Sequence, residues 1–238
     1  MNNSMCACRE KDKSPEKVFT HPAVTRFPHP VVVNNNPMTK EEKITAIEEH
    51  IREIMEILEL DLDDDSLAET PQRIARMYVN EVFSGLDIEA FPDVNFVEDK
   101  CGFSEQSNMV CIKAGFTSFC EHHFVPMVGV AYVAYIPQGR LIGLSKVPRI
   151  VRYFSQRPQL QERLTAQIAD SMSLLLNIED VAVSTTAKHC CVSARGIEDE
   201  QSVTTSQVLR GQFFDDEARQ REFLESIKNQ DLRVLEED

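Results

Sequence analysis

Basic side chains are scarce in this 238-residue chain: 25 lysines and arginines stand against 39 aspartates and glutamates, a formal charge of −14. That balance argues against a nucleic-acid surface, which needs a basic stripe, and against an anionic membrane partner. An anionic substrate would have to be held by a local basic cluster, because the long-range field repels it. Long apolar runs are missing too, and nothing approaches the roughly 18 residues of a membrane-spanning helix. The opening MNNSMCACREKDKSPEKVF lacks the charged-then-apolar order of a secretory signal. The seven cysteines are odd in number and irregularly spaced, and the adjacent Cys190 and Cys191 are poor partners for each other. Reduced thiols in a cytoplasmic protein are therefore expected. The C-x-x-C of zinc fingers, H-E-x-x-H of metalloproteases and H-x-E…P-C-x-x-C of zinc deaminases are all absent.

What is present divides into three parts. Residues 1–38 hold Pro15, Pro22, Pro28, Pro30, Pro37 and three consecutive asparagines, without sustained periodicity, and read as a flexible tail. Its Cys6-x-Cys8 pair has no second pair nearby and carries no metal reading. Residues 39–93 read as a helical segment. TKEE is a capping box with Thr39 as N-cap and Glu42 at the third position. Ile44, Ile47, Ile51, Ile54 and Leu58 follow at steps of three and four, one apolar stripe. A second helix is expected from Thr70, with Pro71 at its first position, Ile74, Met77, Tyr78 and Val82 inward, and Gly85 beyond its end.

Residues 94–238 form the third part, a larger domain. MVCIKAGFTSF and VPMVGVAYVAYIP are rich in Val, Ile, Tyr and Phe, and the second is apolar on both alternating faces, as in a strand covered on each side. SKVPRIVRYF reads as helix, Pro158 as a break, and QLQERLTAQIADSMSLLL as a long helix. DVAVSTTAKHCCVSA reads as strand and DDEARQREFLESIKN as a final helix. This order suggests an α+β domain with an antiparallel sheet.

Two compact clusters stand out, FCEHHF at 119–124 and KHCCVSARG at 188–196. Zinc takes nitrogen and sulfur ligands in a tetrahedron, and a catalytic site keeps one position for water. Cys120 and His123 are three apart, so one turn at a strand end can aim both at one point. On a strand, His189 and Cys191 would share a face and Cys190 would point away. A single buried cysteine is usually packing and a lone histidine usually just hydrogen-bonded. Four such residues in two clusters favour a metal, with His189 open to either a ligand or another role.

CEHHF, IGLSKVPRIVRYFSQRPQLQERL and HCCVSARG, in this order and at these separations, resemble the GTP cyclohydrolase I family, and ETPQRIARMYVNEVFSGLD resembles its N-terminal helical segment. The similarity spans roughly residues 40–228. It implies conversion of GTP to 7,8-dihydroneopterin triphosphate with release of formate, at the entry to pterin and tetrahydrofolate synthesis. It also implies a tunnelling-type fold, an antiparallel sheet with helices on one side, whose sheets close into an oligomeric barrel. The resemblance implies a homodecamer of two stacked pentamers with sites at subunit boundaries. Carried over by motif, Cys120, His123 and Cys191 are the expected Zn2+ ligands, and His122 and His189 the proton-handling histidines. Ser145 is assigned to the ribose step, its alternative being a helix N-cap. Lys146, Arg149 and Arg195 match phosphate-binding positions, with Arg73 assisting. Glu162 is the guanine reader, assisted by Gln161. Arg76, Arg152 and Arg163 are expected on solvated helix faces. Position 190 is cysteine where relatives often carry a bulkier apolar residue.

Two rival readings draw on the same residues. A related tunnelling-fold enzyme such as a nitrile reductase predicts a catalytic thiol and no zinc triad. A non-catalytic zinc-stabilised oligomer needs the ligands but not Lys146, Arg149, Arg195 and Glu162 around them.

Overall fold

The computed structural model describes residues 29–31, 37–100, 102–103 and 108–234; Cys6, Cys8, Cys101 and most of the expected tail lie outside them. Helix α1 (Lys40–Ile57) begins at the expected capping box. Glu42 N donates to Thr39 Oγ1 at 3.2 Å and Thr39 N donates to Glu42 Oε2 at 2.7 Å. Helix α2 (Thr70–Met77) carries Pro71 in its first turn, where a missing N–H leaves no hydrogen bond unmade. A π-helical turn, Tyr78–Val82, extends it. The stripe on α1 is only partly covered: Ile44, Ile47 and Ile51 are half-buried, while Ile54 and Leu58 are 51% and 63% exposed, and the buried residue is Met55, outside the stripe. Within one chain α1 packs against α2 and the turn after it.

Strands β1 (Phe96–Glu98) and β4 (Arg140–Ile142) form a small antiparallel pair. The main sheet has the order β5-β2-β3-β6-β7, built from β2 (Val110–Cys120), β3 (Pro126–Tyr135), β5 (Pro158–Gln159), β6 (Val181–His189) and β7 (Thr204–Leu209). Only the two-residue β5 pairs in parallel, with β2; the other pairings are antiparallel. Helices α3 (Lys146–Ser155) and α4 (Gln161–Leu176) lie either side of β5, with the break at Pro158 where the proline demands it.

The two-sided character of β3 has a direct consequence. Ala131, Val133 and Tyr135 join one core with Ile150, Leu164, Ile168 and Met172 of α3 and α4. Tyr132 and Ala134 point into a second core with Phe213 of α6 (Gln212–Asp215) and Phe223 of α7 (Glu217–Val234). The expectation of helices on one side is therefore corrected. A strand apolar on both faces must be covered on both, and the C-terminal helix covers the second. Asp231 on α7 accepts from Lys113 Nζ at 2.7 Å and from the Tyr132 hydroxyl, pinning the helix there.

The helical segment is tied to the domain at Gly85. Gly85 N donates to Gln156 O at 2.9 Å, and Arg157 Nε donates to Gly85 O at 2.8 Å. A Cβ at position 85 would lie 2.1 Å from Tyr153 O, so only glycine permits this approach. Arg157 is 8% exposed, its guanidinium stacked over the Tyr153 and Phe154 rings at 4.6 and 5.0 Å.

Candidate metal centre and substrate site

Strand register assembles the site. Phe119 on β2 pairs with Pro126 on β3 and with Pro158 on β5, and Met127 on β3 pairs with His189 on β6. The ends of β2 and β6 thus meet at one edge of the sheet, with a single strand between them. Beyond Cys120 the chain turns tightly: Phe124 N donates to Cys120 O at 2.8 Å, and Phe124 takes a left-handed φ of 54°. This turn folds His123 back so that its Nδ1 lies 3.8 Å from Cys120 Sγ.

Cys191 completes the cluster. One ligand atom each from Cys120, His123 and Cys191 lies within 4.8 Å of the others. Cys120 is buried, Cys191 half-buried and His123 exposed, so the group sits at the edge of the protein. The reason offered for Cys191 from strand parity is corrected. Strand β6 ends at His189, and Cys190–Ser193 is a helical turn, α5, in which alternation no longer applies. Cys191 joins the cluster from that turn, while His189 is engaged elsewhere. Burial, reinforced by the adjacent Cys120, pushes the Cys191 thiol above its ordinary value, with Arg195 opposing. Two thiols and an imidazole converging this closely suit a tetrahedral divalent ion with its fourth position open.

His189 Nε2 lies 2.7 Å from Gln161 Oε1. Burial lowers the His189 pKa below its ordinary 6.5, and the nearby Glu162 carboxylate pulls weakly the other way. Gln161, expected beside Glu162 at the guanine, is instead 2% exposed, with its carboxamide engaged by His189, Thr185 and Thr204. Glu162 itself is exposed and lines a groove of about 730 Å³ with Arg163, Thr205 and Gln207, between α4 and β7.

His122 points outward, its side chain 64% exposed and its Nε2 4.0 Å from Glu121 Oε1. Arg195 Nη1 lies 3.0 Å from His123 Nε2, which brings one expected phosphate ligand to the metal cluster. Ser145 stands at the N-cap position of α3 but makes no capping bond, and its side chain is exposed. Lys146 and Arg149 follow in the first turn of α3. Arg73 is exposed and pairs with Glu69 at 2.7 Å.

Arg163 is not on a solvated face; its guanidinium makes a forked pair with Glu121, through Nη1 to Oε2 and through Nη2 to Oε1 at 3.3 Å. The pair ties the turn bearing His122 and His123 to the start of α4. Its hydrogen bond from Arg163 holds the Glu121 carboxyl below the ordinary value of 4.5. A glutamate inside CEHH was a visible signal, but its partner lies 42 residues away.

Among the described residues no helix is long and apolar enough to cross a membrane. The family profile described as GTP cyclohydrolase I matches residues 47–228. A GTP cyclohydrolase 1 of Vibrio vulnificus (strain YJ016) is 53% identical over 194 residues, covering 81% of this chain and 88% of its own. One from Vibrio cholerae is also 53% identical with the same coverage, and one from Shewanella sp. (strain ANA-3) is 50% identical over 193 residues, 81% of this chain and 88% of its own. A solved apo structure of the archaeosine synthase QueF-Like is similar at a TM-score of 0.31 and 22% identity, over 41% of this chain and 92% of its own, too slight to bear on the fold.

Proposed function

This chain belongs to the GTP cyclohydrolase I family, and from that premise we propose how its residues open the guanine imidazole ring of GTP and release formate. The observation that carries the reading is the convergence of Cys120, His123 and Cys191 from two distant segments.

Those three residues would hold Zn2+, and the donor set of two sulfurs and one nitrogen fits it. An ion held there would act as a Lewis acid and make water a competent nucleophile at neutral pH for a weakly electrophilic purine C8. His189 places a proton on guanine N7, which makes C8 more electrophilic, and His122 handles the second proton. Glu162 accepts hydrogen bonds from the N1–H and 2-amino edge, a pattern adenine cannot present. Lys146, Arg149 and Arg195, assisted by Arg73, hold the triphosphate against an acidic overall field, the arginines by forked contacts. Ser145, free of a capping bond, serves the opening of the ribose. The product is 7,8-dihydroneopterin triphosphate, at the entry to pterin and tetrahydrofolate synthesis.

Segments 1–38, 39–93 and 94–238 act as tail, helical segment and catalytic domain of a cytoplasmic enzyme. The protomers assemble as a homodecamer of two pentamers. The uncovered Ile54, Ile57 and Leu58 on α1 and Phe214 on α6 supply apolar surface for that assembly, and its closed sheets place α3 of one copy near the site of another.

The test is direct. Zinc-loaded protein incubated with GTP should yield formate and a product that oxidises to a fluorescent pterin; zinc-loaded protein that releases no formate sinks the reading. Glu162→Ala should lose GTP turnover and keep its zinc, and turnover at the wild-type rate would remove Glu162 from guanine recognition.

A further inference from the structure

Gln161 is buried, yet its carboxamide is bonded on every side. Its nitrogen lies 3.0 Å from Thr185 O, 3.0 Å from Thr204 O and 3.2 Å from Thr185 Oγ1. Backbone carbonyls only accept, so the amide end facing two of them must be the NH2. The opposite orientation would press Oε1 against two carbonyl oxygens. Oε1 is therefore the atom that faces His189 Nε2 at 2.7 Å.

The surrounding hydroxyls point the same way. Thr165 Oγ1 donates to Gln161 O at 2.8 Å and lies 2.7 Å from Thr185 Oγ1. With its one hydrogen spent on Gln161 O, Thr165 accepts from Thr185, which leaves a Thr185 lone pair for the Gln161 NH2. The two NH2 hydrogens go to the two carbonyls, and Thr185 Oγ1, at 3.2 Å, can only share one of them. Thr165 and Thr185 are both 0% exposed, so water is not at hand to relax the arrangement.

An amide oxygen cannot donate. Resting on the reading of His189 as the proton donor to guanine, we propose that Gln161 is its positioning residue: it holds the imidazole as the tautomer with hydrogen on Nε2, leaving Nδ1 as the nitrogen that exchanges a proton with the substrate. Gln161 thus acts through His189, by fixing the ring's orientation and the nitrogen that carries its hydrogen.

The experiment uses zinc-loaded protein labelled with 15N at histidine only, with the His189 signals identified by their loss in His189→Gln. The neutral ring should show hydrogen on Nε2; hydrogen on Nδ1, or an even mixture, overturns the proposal. Gln161→Met, close in volume but without the acceptor, should give mixed tautomers. It should also lower kcat about 10- to 100-fold with KM for GTP within about threefold, a fraction of what general acid–base catalysis contributes. Wild-type tautomer and kcat in that variant overturn the proposal. Thr185→Val removes the hydroxyl but keeps both carbonyls, so the Nε2–H tautomer should persist. Its loss there would show that the carbonyls do not set the amide, and this comparison stands even where Gln161→Met fails to fold. Wild-type protein with the Nε2–H tautomer that releases no formate would sink the cyclohydrolase reading while leaving the tautomer assignment in place.

Discussion

Arg195 Nη1 lies 3.0 Å from His123 Nε2, so a cation from the turn after β6 rests against an imidazole from the turn after β2. Guanidinium only donates, so His123 Nε2 is the acceptor in this contact, and Nδ1 is the nitrogen that faces Cys120. Arg195→Ala should raise KM for GTP by about 10- to 100-fold, the worth of one charge-assisted bond to phosphate. Metal content should be unchanged. Steady-state kinetics with metal analysis on the same samples checks both, and an unaltered KM would remove Arg195 from triphosphate binding.

The two neighbouring cysteines should behave oppositely. Cys191→Ala should abolish stoichiometric zinc and Cys190→Ala should retain it, measured by elemental analysis after gel filtration. Because burial and Cys120 hold the Cys191 thiol protonated above its ordinary range, metal binding must release that proton. Zinc affinity should therefore fall by about tenfold or more for each pH unit lowered from neutral. Competition with a chromogenic chelator between pH 6 and 8 reads this slope, and a flat profile would contradict it.

The Glu121–Arg163 pair makes a pH-dependent contribution with a definite sign. The Glu121 carboxyl is depressed below 4.5 in the folded state by its bond from Arg163. The unfolded chain binds the proton first as pH falls, so the pair's stabilisation is fully present above the unfolded value and is lost as pH drops through the folded one. Denaturant unfolding of wild type and Glu121→Gln should differ at pH 7 and draw together as pH falls below the ordinary carboxyl value of 4.5. A constant difference across that range would refute the assignment.

At Gly85 an added methyl would meet the Tyr153 carbonyl at 2.1 Å. Gly85→Ala should destabilise the protein by about 1–3 kcal/mol, the cost of overpacking where backbone must shift. Chemical denaturation measures it, and a variant as stable as wild type would show that the helical segment is not latched there.

Much of this was legible because it is local. The capping box at Thr39 and Glu42, the proline start of α2 and the break at Pro158 depend on residues within a turn of one another. Cys120 and His123 converge because three residues and one tight turn suffice. Long-range relations were less readable. Parity named Cys191 over Cys190 while assuming a strand that in fact ends at His189. Arg163 looked solvated because its helix face reads as polar, and nothing nearby in sequence announces Glu121. Ile54 and Leu58 kept the helical period, but the described residues leave both more than half exposed.

The order of amino acids by itself determined the elements, the family and the types of side chain available for chemistry, since caps, periods and motifs act over a few residues. Only the tertiary structure decided which polar atoms are spent and in which direction. Strand register sets Cys120 and His189 at one edge of the sheet, and two backbone carbonyls distant in sequence orient Gln161. Hydrogen bonds are directional and pairwise, so their sense emerges only once the partners are in place.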